Sequence, residues 1–169
     1  QTLSPKTNLH WLASRAALAQ YFSNAKRIVI YKDAFNKPSM RVDDKTYQLS
    51  ITHSNQYAAV LFSTNAQVSL DLEKTDPRVV RVAKKFVNNA EDEMMKGSLN
   101  DTLDYTRIWS AKETLYKFYG IKELDFKLHM TVFINNVKTL RGCIHKVDPV
   151  FFDIRHEQLD DYVLTYIIQ

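Results

Sequence analysis

The chain has 169 residues, a formal net charge of +4, 45% hydrophobic residues and 25% charged residues. Those proportions are globular and exclude a disordered chain. Three glycines and four prolines exclude collagen-like and low-complexity classes, and the absence of any GxGxxG or GxxxxGKS/T string excludes a glycine-rich phosphate loop.

The first periodic stretch runs from Asn8 to Phe22. Leu9, Leu12, Ala16 and Ala19 recur at helical spacing, with Asn8 as N-cap and Arg15 on another stripe. Arg27 to Tyr31 reads as a short strand, and Asn36-Lys37-Pro38 breaks the chain. Tyr47 to His53, Tyr57 to Phe62 and Val68 to Glu73 read as strands joined by hairpin turns at Ser54-Asn55-Gln56 and Thr64-Asn65-Ala66, an antiparallel meander. Asp76-Pro77 opens a helix whose apolar stripe is Val79, Val82, Ala83 and Phe86, with Arg78, Arg81, Lys84 and Lys85 around it. A short helix is predicted over Glu91 to Lys96, ending near Gly97. A stronger one covers Tyr105 to Tyr119, with Ile108, Ala111, Leu115 and Phe118 on one stripe and Gly120 as C-cap. Phe126 to Ile168 predicts about four strands, around Thr131, Arg141, Phe152 and Leu164. Helix, strands, helices, strands is an α+β order with antiparallel sheets, and both halves pair a helix with a meander.

Three segments carry candidate chemistry. In Val68-Ser69-Leu70-Asp71-Leu72-Glu73, strand alternation puts Ser69, Asp71 and Glu73 on one face. Carboxylates two residues apart have Cα atoms roughly 6.5–7 Å apart. They repel unless a cation lies between them, and hard ions such as Mg²⁺ favour such oxygen ligands. The alternative is the solvated outer face of an edge strand. In Trp109-Ser110-Ala111-Lys112-Glu113-Thr114-Leu115-Tyr116-Lys117, helical spacing puts Trp109, Glu113 and Lys117 on one face. The plain reading is a surface ion pair between Glu113 and Lys117. In Ser50-Ile51-Thr52-His53-Ser54, His53 at a strand end is either a turn histidine or a phosphate contact.

Asp-x-Glu followed by Trp-Ser-x-Lys-Glu-x-x-x-Lys, with forty residues from Glu73 to Glu113, resembles the 4′-phosphopantetheinyl transferases. The upstream Thr52-His53-Ser54 and Lys37-Pro38 elements resemble the Sfp-type branch of that superfamily. The resemblance spans residues 37–126, with a weaker match at the Arg15 helix. Ser69 and Asn36 stand where the family's motifs carry glycine. The resemblance implies two similar α+β halves related by a pseudo-twofold axis, each a helix packed on an antiparallel sheet, with a ligand cleft between them. The halves are expected at 1–74 and 75–169. It further implies a holo-acyl-carrier-protein synthase activity. Such an enzyme moves the phosphopantetheine arm of coenzyme A to a serine of an acyl or peptidyl carrier protein, leaving adenosine 3′,5′-bisphosphate. By the same resemblance, Asp71, Glu73 and Glu113 would hold Mg²⁺, with Mn²⁺ the alternative. Glu113 and Lys117 would be catalytic. Arg15, Lys37, Pro38, His53 and Lys112 would contact coenzyme A.

Phosphoryl chemistry of this kind needs charge neutralisation and positioning more than covalent help, which fits a metal and several cations. A basic flank at Arg78, Arg81, Lys84 and Lys85, with exposed apolar residues near Met94 and Met95, would steer an acidic carrier protein. A monomer is expected, with no nucleic-acid or membrane partner: no apolar run approaches the roughly 20 residues of a membrane helix. The single cysteine, Cys143, excludes a disulfide framework and a CxxC zinc site. It fits a reducing, cytoplasmic setting, and no targeting segment is read after Gln1. Two other functions stay open at this point. One is a non-catalytic relative that binds coenzyme A or a carrier protein. The other is a basic nucleic-acid-binding module, suggested only by the sequence pI near 9.1 and the Arg78–Lys85 stripe.

Overall fold

Two antiparallel sheets, each backed by a long helix, make up the protein in its computed structural model, which describes residues 5–121, 123–135 and 139–169. Helix α1 (Pro5–Tyr21) starts ahead of the expected Asn8 cap, with proline at its opening, where a missing N–H loses nothing. Its inner face is also not the expected one. Leu9, Leu12, Ala16 and Ala19 are exposed, while Ser14 and Leu18 are buried. Leu18 packs with Met40, Val42 and Leu49 to form the small N-terminal core. The sequence Trp11-Leu12-Ala13-Ser14-Arg15-Ala16-Ala17-Leu18 is apolar around most of the helix, so its period discriminates poorly between faces.

Four strands follow as a meander: β1 (Ile28–Lys32), β2 (Pro38–Val42), β3 (Lys45–Ser54) and β4 (Tyr57–Ser63). Strand β2 was not expected, because Pro38 reads as a breaker. It sits at the first residue of the strand, opposite Lys32, where its lack of an N–H is tolerated. The turns use Asx residues where glycine would be usual. Asn36, Asp43, Asn55 and Asp160 have φ of 66°, 49°, 51° and 52°, and Asn and Asp tolerate the left-handed region best among residues with a side chain.

Strand β5 (Val68–Lys74) leaves this meander. It pairs antiparallel with β9 (Tyr162–Ile168), giving a second sheet of order β5-β9-β8-β7-β6, with β6 (Met130–Ile134), β7 (Thr139–Ile144) and β8 (Val150–Leu159). The hairpin expected at Thr64-Asn65-Ala66 is therefore absent, and β5, the last strand of the expected 1–74 half, pairs within the C-terminal sheet. Residues 1–4 of the expected N-terminal half lie outside the described residues. The four C-terminal strands occur where predicted. The free edge of β5 is not solvated. Hydroxyls of β3 reach across to it, Ser50 Oγ accepting from Leu70 N–H at 3.1 Å and Ser54 Oγ from Lys74 N–H at 3.1 Å. Side-chain oxygens thus satisfy backbone donors that a ladder would otherwise pair, and the two sheets join at β3 and β5.

Between β5 and β6 lie α2 (Arg78–Val82), a 3₁₀ turn (Ala83–Lys85), α3 (Asn89–Met95) and α4 (Asp101–Tyr119). Asn88 and Glu91 cap α3 reciprocally. Met95, expected at the surface, is buried, and Met94 packs against the same core. Helix α4 is capped by Asn100 and ended by Gly120 at φ 74°. Its Ile108, Ala111 and Leu115 enter the main core with Val132, Leu140 and Ile154. Gly142 on β7 makes this approach possible: a Cβ there would stand 2.7 Å from Leu115 Cδ1 and 2.8 Å from Ile154 Cδ1. Among the described residues, no helix is long and apolar enough to cross a membrane.

Candidate active site

Alternation on β5 does send Ser69, Asp71 and Glu73 to one face, but that face meets α4 rather than water. Asp71 is 3% exposed. Its Oδ1 accepts from Lys117 Nζ at 2.7 Å and Thr52 Oγ1 at 3.1 Å, and its Oδ2 accepts from Ser110 Oγ at 3.0 Å. Ser110, Thr114 and Thr165 form a buried hydroxyl chain behind it. Lys117 also donates to Leu70 O and Thr52 Oγ1. The surface pair expected between Glu113 and Lys117 is thus replaced by a pair from Lys117 to the more deeply buried Asp71.

Glu73 is held from two sides. Trp109 Nε1–H donates to its Oε1 at 2.9 Å, and Ser54 Oγ–H to its Oε2 at 3.5 Å. The indole is itself wedged between Phe86 and Phe126. Burial, then the charge of Asp71, pushes the Glu73 carboxyl above the usual carboxylate range. Glu113 is pushed further, to about 7, by burial first, then by Asp71, with Glu73 adding and Lys117 opposing. Three carboxylates therefore feel one another across α4 and β5, with a single ammonium among them. They do not close on one point: among the described residues, no three His, Cys, Asp or Glu side chains form a ready metal cage.

Beside this cluster lies a cleft of about 480 Å³. Lys117 lines its wall on the α4 side. Arg15 from α1, Lys37 just before β2, Pro38 at its first position and His53 near the end of β3 also line it, as do His10 and Lys32. Among the described residues lining it, none is a carboxylate. Arg15 lies over the Trp11 ring, 3.8 Å from its centroid. Lys37 reaches the C-terminal end of α4, where Nζ donates to Phe118 O at 3.4 Å. Asn36, in left-handed backbone next to Lys37, explains why a glycine suits this position.

The family model for the 4′-phosphopantetheinyl transferase superfamily matches residues 67–167. The chain belongs to that superfamily. Its membership makes phosphopantetheine transfer the family-level activity, with coenzyme A and a carrier protein as the partners the family implies. A search among curated proteins finds no match.

Within this superfamily member, Lys112 does not join the site. It is fully buried on the opposite side of α4, where Phe86 O, Glu91 Oε2, Phe126 O and Met130 O surround Nζ at 2.7–3.2 Å. An ammonium has three N–H donors, so four oxygens leave none for a ligand phosphate. The expected contact of Lys112 with coenzyme A is corrected on that ground. Lys112 and Lys117 are five residues apart, about 140° around the helix, which is why only one of them can face β5. Residues that sequence reasoning left out include Thr52, the structural partner Glu91, and the cleft residues His10 and Lys32. Thr52 and Ser110 stood inside the quoted motifs. His10 and Lys32 carried no motif signal.

Proposed function

We propose that the chain is an Sfp-type phosphopantetheinyl transferase, which moves the phosphopantetheine arm of coenzyme A to a serine of an acyl or peptidyl carrier protein in the cytoplasm. The observation that carries this reading is the carboxylate-free, cation-lined cleft that meets the Asp71–Glu73–Glu113 cluster at Lys117. In this reading an anionic ligand would have its charge matched there, with its reacting phosphate at Lys117, next to Asp71. Support for the Sfp-type branch comes from architecture. One chain carries both a helix on a four-stranded sheet and a helix on a five-stranded sheet, and both supply cleft residues.

The carboxylate cluster fits a divalent cation by its chemistry. Glu113 and Glu73 both have raised affinity for a proton, first from burial and then from the charge of Asp71, and a hard cation would relieve that repulsion. Asp71, Glu73 and Glu113 would hold Mg²⁺ or Mn²⁺. When bound, it would supply charge neutralisation and orientation for the pyrophosphate. Each protein group then has a defined task. The carrier serine oxygen bonds to phosphorus of the phosphopantetheine arm, and the bond from that phosphorus to the bridging oxygen of the 3′,5′-bisphosphate breaks. Glu113 accepts the serine proton as a positioned carboxylate base. Lys117 sets positive charge where the departing phosphate gains negative charge. Arg15, Lys37 and His53 hold the nucleotide end. The carrier would dock on the exposed Arg78, Arg81, Lys84 and Lys85, whose apolar neighbours are Val80 and Val82 rather than the expected methionines.

Mass spectrometry of candidate carrier proteins after incubation with this protein, coenzyme A and Mg²⁺ tests the proposal. A carrier should gain one phosphopantetheine group at its serine. Folded protein that modifies no carrier, yet binds coenzyme A, would instead be a non-catalytic binder.

A further inference from the structure

On the Oδ2 side of Asp71, three hydroxyls form a chain to which the reading above gives no task. Ser110 and Thr114 come from α4. Thr165 comes from β9, where it lies directly across the ladder from Asp71. All three residues are fully buried. Ser110 Oγ donates to Asp71 Oδ2 at 3.0 Å and lies 2.9 Å from Thr165 Oγ1, which lies 2.7 Å from Thr114 Oγ1. A hydroxyl has one hydrogen to give. Ser110 gives its hydrogen to Asp71, so it accepts from Thr165. Thr165 has then used its own and accepts from Thr114. Thr114 aims its hydrogen at Thr165 Oγ1, with Thr165 O at 3.2 Å the weaker second acceptor. The three O–H dipoles run the same way and end on one carboxylate oxygen, and hydrogen bonds aligned in this manner strengthen one another.

Thr106 shows what Ser110 would do without that chain. One turn earlier on α4, the Thr106 hydroxyl donates back to Thr102 O at 2.7 Å. Such a bond to the carbonyl four residues back is the local alternative for any serine or threonine inside a helix. A donor at Thr165 holds Ser110 Oγ toward β9 and β5 instead. The consequence falls on Asp71. Its Oδ1 already accepts twice, from Lys117 and Thr52. Among the described residues, Oδ2 accepts from Ser110 alone, so one of its two acceptor positions is open, and the direction of the Ser110 O–H decides which.

We propose that Thr165 is a positioning residue for the divalent cation: acting through Ser110, it fixes the Asp71 carboxylate so that the open position of Oδ2 is presented as a ligand. This rests on the reading of Asp71, Glu73 and Glu113 as the cation's ligands. Thr165 lies outside the motif strings, and its burial keeps it from any ligand itself.

Calorimetric titration of the metal-free protein with Mn²⁺, in the presence of coenzyme A, tests it on T165V, T165S, S110A and S110A/T165V. Valine keeps the shape of threonine without the hydroxyl, and serine keeps the hydroxyl. S110A should weaken Mn²⁺ binding about tenfold, the low end for removing a partner of a metal ligand. T165V, one bond further out, should weaken it about threefold, and T165S should bind as the wild type does. In the S110A background T165V should add nothing, because the route from Thr165 to Asp71 is already cut. T114V interrupts the same chain at its far end. It takes the place of T165V if that variant does not fold, with the same weakening and the same silence in S110A. Wild-type affinity in T165V, a T165S as weak as T165V, or a T165V effect that persists without Ser110 would each overturn the proposal while the metal reading stands. Absence of Mn²⁺ binding by the wild type would remove the metal reading and the Thr165 proposal together.

Discussion

The carboxylate cluster makes a quantitative trade between stability and activity, and Glu113→Gln exposes it. The Glu113 carboxyl titrates near 7 in the folded protein against 4.5 ordinarily, chiefly from burial and then from Asp71. The folded pKa is raised, so the folded state holds this proton while the unfolded chain has released it between pH 4.5 and 7. Over that window stability falls by about 1.4 kcal/mol per pH unit, and the loss is complete once pH passes 7. The two and a half units between the two pKa values set an upper limit of roughly 3–4 kcal/mol. Glutamine has the same shape and cannot ionise. E113Q should therefore match the wild type in stability near pH 4.5 and exceed it by up to roughly 3–4 kcal/mol at pH 8.

Urea unfolding in EDTA across pH 4.5–8 measures the difference. The gap should open through that window and then plateau. Adding Mg²⁺ at pH 8 should close part of it, by stabilising the wild type more than the variant. The same variant should fail to modify a carrier. A variant no more stable than the wild type at pH 8 in EDTA would refute the electrostatic reasoning. Near-normal turnover would remove Glu113 from the chemistry.

Lys112→Met leaves Glu91 buried without its counter-ion and should lower stability by about 3–5 kcal/mol, with K112M/E91Q recovering part of it, as read from thermal unfolding. If K112M unfolds like the wild type, the buried pair is not what ties α3 and β6 to α4. Trp109→Phe keeps the ring among Phe86 and Phe126 but removes the donor to Glu73. It should cut transfer about tenfold with little change in stability, and a normal rate would separate the indole from the site. Reversing Arg81 and Lys84 to Glu should slow modification of an acidic carrier without altering coenzyme A affinity, and a rate independent of both charge and salt would exclude steering by this helix.

Much of the C-terminal half was legible because its signals are strong ones. Helix α4 combines an apolar stripe with a glycine stop, and β6 to β9 alternate over an antiparallel sheet. The site motifs were legible as strings, since Asp71, Glu73, Glu113 and Lys117 do converge on the β5–α4 contact. Pairing was less legible. Nothing local says whether Val68–Lys74 pairs with the strand before it or with one ninety residues later, because both partners offer the same alternation. The face of α1 was lost for a related reason, as an alanine-rich helix offers several nearly equivalent stripes. Lys112 shows a third kind of limit. A lysine in a motif reads as a ligand contact, and only tertiary packing shows four oxygens already around it.

The two lysines of the Lys-Glu-x-x-x-Lys string illustrate how burial divides labour along one helix. Both meet a buried carboxylate, Lys112 with Glu91 and Lys117 with Asp71, each at 2.7 Å. Lys112 is sealed, and its charge is spent on holding α3, β6 and α4 together. Lys117 keeps 30% of its side chain exposed toward the cleft, so its charge acts on an incoming anion, and a direct contact would replace one of its long bonds to Thr52 or Leu70 O rather than the one to Asp71. Glu113 lies between them in sequence. One neighbour fixes its backbone against the core. The other sets the field in which its carboxyl titrates, opposing the push from Asp71. A carboxyl poised near neutrality is thus produced by burial and by the charge of Asp71, and the accessible ammonium of Lys117 limits how far it rises.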